Sequence, residues 1–190
     1  MKKALVVIGM FVVYFALVFL CEFLGFFSPV LWVYFGVIAA FLAATPVLVV
    51  ASKTQVPGAI ALFPVVYLII MALLGEVSQP IVAIAIVVVL VIAELVRRIA
   101  GAGKQLGLRL GYAISAIAPG MYLLPLWTMT SWYYDGAIEE MGSQAYADTL
   151  MAFANPVGLV ALVVLCFAAG LLGAIVSEKL FKDKVIVSAQ

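Results

Sequence analysis

The 190-residue chain has no histidine and only two cysteines, which removes most of the ligands that zinc and iron centres draw on. Cys21 and Cys166 form no CxxC pair and lie inside apolar segments, so they read as packed core residues rather than a disulfide framework. Charge is equally scarce, at 10% of residues against ~25% in an average soluble domain. The ten basic and nine acidic residues nearly cancel, which gives no reason to expect nucleic acid. No HExxH, GxSxG or Walker loop occurs, and neither does an internal repeat or a low-complexity tract. Glu22 and Glu94 are placed near opposite membrane faces, so no intramembrane carboxylate pair is expected to share a proton or hold a metal. The acids of the loops have nothing evident to raise their pKa values. An enzyme is therefore not expected, nor a cofactor.

What the chain has in abundance is apolar sequence: 68% hydrophobic, with a mean hydropathy of +1.32. Residues 1–190 read as a single all-α membrane domain, because nothing outside the apolar runs is long enough to bury a soluble core. The start, "MKKALVVIGMFVVYFALVFLCEF", has two lysines before an apolar run, as a signal peptide does. The run is too long for a typical h-region and lacks a clear cleavage site, so it reads as a retained helix.

Crossing a hydrocarbon core takes ~20 apolar residues. Polar and Gly/Pro breaks cut the chain into spans at about 4–23, 29–50, 57–74, 80–95, 106–128 and 156–181, six in all. Lys2, Lys3, Lys53, Arg97, Arg98, Lys104, Arg109, Lys179, Lys182 and Lys184 then share one side, which the positive-inside rule makes the cytoplasm. Both termini are then expected to face the cytoplasm. Glu22, Glu76, Asp135, Glu139, Glu140 and Asp148 face outward.

Within the spans, Glu94 precedes Arg98 by four residues, the favourable order for a helical ion pair. Pro119, Gly120 and Pro125 predict a kinked or broken fifth span facing the bundle interior. Ala169 with Gly173, or Gly170 with Ala174, places small residues four apart for close packing inside the chain. Neither mid-membrane charges nor paired broken helices in two halves are visible, as a self-contained pump would show. The energy source is expected in other chains.

The outer side concentrates the chemistry. Trp32 and Tyr34 start span two, Tyr122 and Trp127 end span five, and Trp132, Tyr133 and Tyr134 follow. "WTMTSWYYD" packs four aromatics and an acid into nine residues, enough to stack on a planar ring and accept its N–H groups. Residues 130–155 read as a helical lid. Asp135 caps a first helix ending at Gly142, and Ser143 caps a second running to Asn155 and Pro156. Ile138 and Met141, then Ala147, Leu150 and Met151, give the two helices apolar faces.

"VIAELVRR", "LGYAISAIAPGMYLLPLW" and "MGSQAYADTLMAFANPVGLVALVVLCFAAGLLGAIVSEKLFKDK", in this order and spacing, resemble the Trep_Strep type of membrane protein. That type is classed among the substrate-binding S components of energy-coupling factor (ECF) vitamin transporters. The resemblance spans most of the chain and is densest from residue 90 to 184. It implies a six-helix S component that captures a small substrate outside, associates with the membrane subunit EcfT, and is driven by two cytoplasmic ATPases. Outer loops would gate its pocket. Small residues of helix one, often Ala-x-x-x-Ala, would meet EcfT; here Gly9, Val12, Val13 and Ala16 occupy that stretch. A vitamin or another planar heterocycle suits the aromatic end. Trp127, Trp132, Tyr133, Tyr134, Tyr122, Trp32 and Tyr34 are the expected substrate-binding aromatics, with Asp135, Glu139 and Asn155 as polar contacts. The alternatives are a structural or assembly subunit without a ligand, a haem importer subunit, disfavoured without histidine, and an intramembrane enzyme.

Overall fold

The computed structural model describes residues 2–54, 56–77 and 79–181, and among them every regular element is helical. In chain order these are α1 (Lys2–Phe23), α2 (Pro29–Leu42), α3 (Ala44–Thr54), α4 (Leu62–Leu73), α5 (Pro80–Ile99), α6 (Gln105–Ser115), α7 (Pro125–Thr128), α8 (Thr130–Met141), α9 (Gln144–Met151) and α10 (Pro156–Leu180). Short 3-10 turns occupy Leu24–Phe27 and Ala118–Leu123. By length and composition three segments can cross a membrane: Ala4–Phe27, α5 and α10. Proline opens α5 and α10, where its missing N–H would have had no helical partner.

The remaining expected spans depart from straight helices, each for a local reason. Residues 29–50 form two helices, α2 and α3, bent by 41°. Pro46, in the first turn of α3, has no N–H to offer the preceding turn, so one helix cannot run through. Gly173 of α10 fits into the bend, where a Cβ would stand 2.5 Å from the Phe41 carbonyl oxygen. The third expected span, from Pro57, becomes regular only at Leu62, because Gly58 at φ 80° makes a turn first. Its 12 residues reach only ~18 Å. The fourth runs four residues past Leu95, held by arginines described below. The fifth is broken: α6 stops at Ser115, and a buried 3-10 turn with Pro119 and Gly120 leads into α7 at Pro125.

α2, α3, α6 and α10 pack on one another around the main core, with α5 against α6 and α1 along the outside of α2, α3 and α4. At Gly36 the α2 backbone meets the broken span so closely that a Cβ would lie 2.8 Å from Gly120 Cα. The small residues of α10 are spent inside the chain: Gly170 lies against Ala113 and Ala116, and Ala174 is fully buried. Cys21 and Cys166 are buried, unpaired core residues. The face of α1 carrying Leu5, Ile8, Gly9, Val12, Val13, Ala16 and Leu20 is exposed.

One end of the bundle gathers the described basic residues, at the ends of α3, α5 and α10 and the start of α6. Lys182 and Lys184 lie outside the described residues, as do the side chains of Lys2 and Lys3. Here Glu94 bonds Arg98 at 3.0 Å, in the anticipated spacing, and also grips Arg97 through both its oxygens at 2.8 Å. Arg97 is 1% exposed and donates further to the carbonyls of Ala102 and Val56, tying α5 to the turn that follows it and to the turn between α3 and α4. Across the bundle, Glu178 of α10, itself buried, accepts from Arg109 at 2.6 Å and from Gln105 at 2.8 Å. A buried carboxylate and guanidinium hold such positions only when paired and hydrogen-bonded, and both pairs here are.

Candidate functional site

At the opposite end the helices part around a cavity of ≈ 250 Å³. Its floor and walls come from the end of α1, from α2, from the turn between α4 and α5, and from the broken span. α8 and α9 close over it. The lid rests on a small core of Val33, Leu126, Ala137, Ala147 and Leu150, all nearly inaccessible to solvent. Hydrogen bonds latch it down. The Trp32 indole N–H donates to the Tyr133 hydroxyl at 2.5 Å, joining α2 to α8. The Tyr146 hydroxyl donates to the Gly25 carbonyl at 2.6 Å, joining α9 to the turn after α1. Gly25 is pressed under the Trp32 ring, so that a Cβ there would lie 2.1 Å from Trp32 Cε3. Between the lid helices, Tyr134 donates to Asp148 at 2.8 Å.

The lid has two helices, with a different register from that anticipated. α8 starts at Thr130, so Asp135 sits exposed in mid-helix and caps nothing. The helical turn runs on from Met129, whose carbonyl already accepts from the Tyr133 N–H at 3.0 Å. Gly142, at φ 61°, ends α8 as its sequence position implies, and Ser143 caps α9 by accepting from the Tyr146 N–H at 3.2 Å. The buried residue of α8 is Ala137, with Ile138 packed only partly and Met141 turned to the cavity. On α9, Ala147 and Leu150 are buried and Met151 partly so.

Of the aromatic residues singled out above, Trp32, Tyr122, Trp132 and Tyr133 line the cavity together. Trp132 is at the rim, 47% exposed. The others lie elsewhere. Trp127 is anchored by its indole N–H to the Phe153 carbonyl at 2.9 Å, and Tyr34 stands edge-on to the Phe153 ring. Tyr134 is committed to Asp148, and Asp135 and Glu139 point to solvent. Asn155 caps α10 by accepting from the Gly158 N–H at 3.0 Å.

Three lining carboxylates, Glu22, Glu76 and Glu140, were not among the anticipated site residues. Helical spacing would have found one: Trp132, Gly136 and Glu140 are four apart and share a face of α8, while Glu139 is turned away. Glu76 reaches the site from the α4–α5 turn, where Gly75 takes φ 89°. Nothing in its local sequence marks it. The Glu140 carboxyl is raised above its ordinary value, by partial burial first and then by Glu76 and Glu139. The expectation that nothing raises a pKa among the outer acids therefore fails at Glu140, exposed though it is. Tyr146 is pushed up to about 12 by burial and by Glu140. The Tyr122 hydroxyl is buried without a hydrogen-bond partner, and the buried Tyr67 hydroxyl lies beside the Glu22 carboxylate.

An aromatic cavity of this kind, acid-studded and roofed by a latched two-helix lid, can enclose a small molecule and hide it from water. Among the described residues no group of three or more acid or cysteine side chains lies close enough to hold a metal ion. The model of a family described as a hypothetical bacterial integral membrane protein, Trep_Strep, matches residues 2–184, and the chain belongs to that family. No curated protein matches the chain, and no solved structure does.

Proposed function

We propose that this Trep_Strep family member is the S component of an ECF-type importer, a subunit that captures a small micronutrient outside and passes it inward. The cavity under the α8–α9 lid is the capture site, and the latched lid is the observation that carries the reading. In this reading the chain crosses the cytoplasmic membrane six times, with α2–α3 as one bent span and α6 to α7 as one broken span. The basic end faces the cytoplasm, both termini with it, and the cavity opens outward. A broken helix at membrane depth is tolerable here because protein and cavity surround it.

No ATP-binding motif is present in the chain, so the driving force comes from partners: an EcfT-type membrane subunit and two cytoplasmic ATPases. The exposed face of α1 at Gly9, Val12, Val13 and Ala16 is where EcfT would dock. A Cβ at Gly9 would meet nothing within 4 Å, so a partner helix can approach closely there. The substrate is a vitamin-sized planar heterocycle, enclosed by Trp32, Tyr122, Trp132 and Tyr133.

The test is affinity purification of the tagged chain from its native membrane, followed by native mass spectrometry. The expected result is co-purification of a membrane subunit and two ATPases, together with a retained small molecule. A chain that comes down alone and empty, at several solubilisation conditions, would overturn the reading.

A further inference from the structure

We infer that the molecule this cavity captures is an organic cation, a flat body of one or two rings bearing a positive charge, held between the aromatic walls and the carboxylates of Glu22, Glu76 and Glu140. The inference rests on the reading of the cavity as a capture site and adds the chemical class of its occupant.

Charge carries the argument. The three carboxylates come from three separate elements, α1, the α4–α5 turn and α8, yet all line one cavity. No Lys or Arg occurs in residues 4–52, 54–96 or 110–178, so every segment that builds this end of the bundle is free of cations. Glu76 lies within electrostatic reach of both Glu22 and Glu140. Like charges gathered round one cavity without a counter-ion repel one another, with Glu22 half-buried and Glu76 and Glu140 exposed, and the other end of the same protein shows that the fold supplies an arginine where a carboxylate is structural. The missing positive charge is then the ligand's.

Shape narrows the class. Acid residues too dispersed to hold a metal ion together suit a charge spread over a larger body. The volume of ≈ 250 Å³ exceeds the ~150 Å³ that takes a benzene ring, leaving room for a second small ring or a substituent. Trp32, Tyr122, Trp132 and Tyr133 line the cavity with aromatic rings, the groups against which organic cations are held. The unpartnered Tyr122 hydroxyl can accept one N–H from the ligand. An anion would meet only like charge, and a neutral ring would leave the carboxylates unmatched.

The experiment uses the full chain in nanodiscs and three size-matched probes: N-methylquinolinium, neutral quinoline and quinoline-4-carboxylate, titrated calorimetrically at pH 7.5. N-methylquinolinium should bind at least ~10-fold tighter than quinoline, the carboxylate should not bind, and E76Q and E140Q should each shrink the preference. Equal or better binding of quinoline or its carboxylate overturns the inference, as does binding of none of the three. A preference untouched by both Glu→Gln changes overturns it as well. Association with EcfT and the ATPases is scored separately. A lost cation preference with association intact sinks only this inference, whereas a cation preference without association sinks only the importer reading.

Discussion

Glu94 and Glu178, at one end of the bundle, each grip an arginine, whereas Glu22, Glu76 and Glu140, at the other, have no cation near them in the sequence. Desolvation weighs heavily on the first two, which are largely buried, and more lightly on the other three, of which Glu22 is half-buried and Glu76 and Glu140 are exposed. At the basic end it is offset within the chain, and the pairs fix how α5, α6 and α10 meet. At the cavity end it is left open, and the carboxylates surround space instead of packing. A structural charge is satisfied inside the fold; a binding charge waits for something the fold does not contain.

The sharpest way to break this contrast is to remove one member from each end. Arg97→Ala leaves the Glu94 carboxylate without its buried partner and two carbonyls without a donor, a loss of about 3–5 kcal/mol. For a chain of this size that lowers the midpoint of thermal unfolding in detergent by roughly 10 °C. Glu76→Gln, which removes a charge that repels its neighbours, should leave the midpoint level or raise it. If both variants fall alike, the carboxylates of the cavity are structural after all.

A smaller effect separates the lid from the bundle beneath it. Gly25→Ala forces the Trp32 ring to move, since the new Cβ would overlap it, and the bond from Trp32 to Tyr133 goes with it. Overpacking of this kind typically amounts to ~1–3 kcal/mol. Its signature is local: quenching of tryptophan fluorescence by acrylamide should rise, and binding of the cationic probe should weaken. Gly9→Ala, on the open face of α1, should change neither in the isolated chain. Unaltered quenching in Gly25→Ala would mean that the latch does not hold the lid.

Helix content, the broken fifth span, the caps at Gly142 and Ser143 and the aromatic end were all legible in the sequence, because Pro, Gly and Ser act locally on their own backbone. The bend between α2 and α3 was not anticipated: Pro46 marks it, but the apolar run on both sides read as one span. Register was harder. Starting α8 at Asp135 instead of Thr130 pointed to Glu139 rather than Glu140, since a helical face is set by spacing from its neighbours and not by composition. Glu22 and Glu76 could not be assigned to one cavity from sequence at all: 54 residues of chain separate them, and only packing brings them together. The same holds for Arg97, whose burial depends on carbonyls in two turns.

The smallest expected effect is also the one with the most specific sign. Because the Glu140 carboxyl is raised in the native protein, the native state holds that proton at pH values where the unfolded chain has lost it. Stability should therefore fall as pH rises from the ordinary carboxylate value through the raised one, and recover on acidification. Tyr146, at about 12, stays protonated throughout this window, and Glu76 and Glu139 are the charges that repel Glu140 as it ionises. Much of Glu140 is open to solvent, so screening limits the change to about 1 °C in the unfolding midpoint, absent in Glu140→Gln. A bound cation favours the ionised carboxylate and pulls its pKa back down. With N-methylquinolinium present the slope should flatten or invert, so that stability over the same window holds or grows with pH. A slope that persists unchanged with the probe bound would place Glu140 at the cavity wall as a bystander, and leave the charge of the ligand to be met elsewhere.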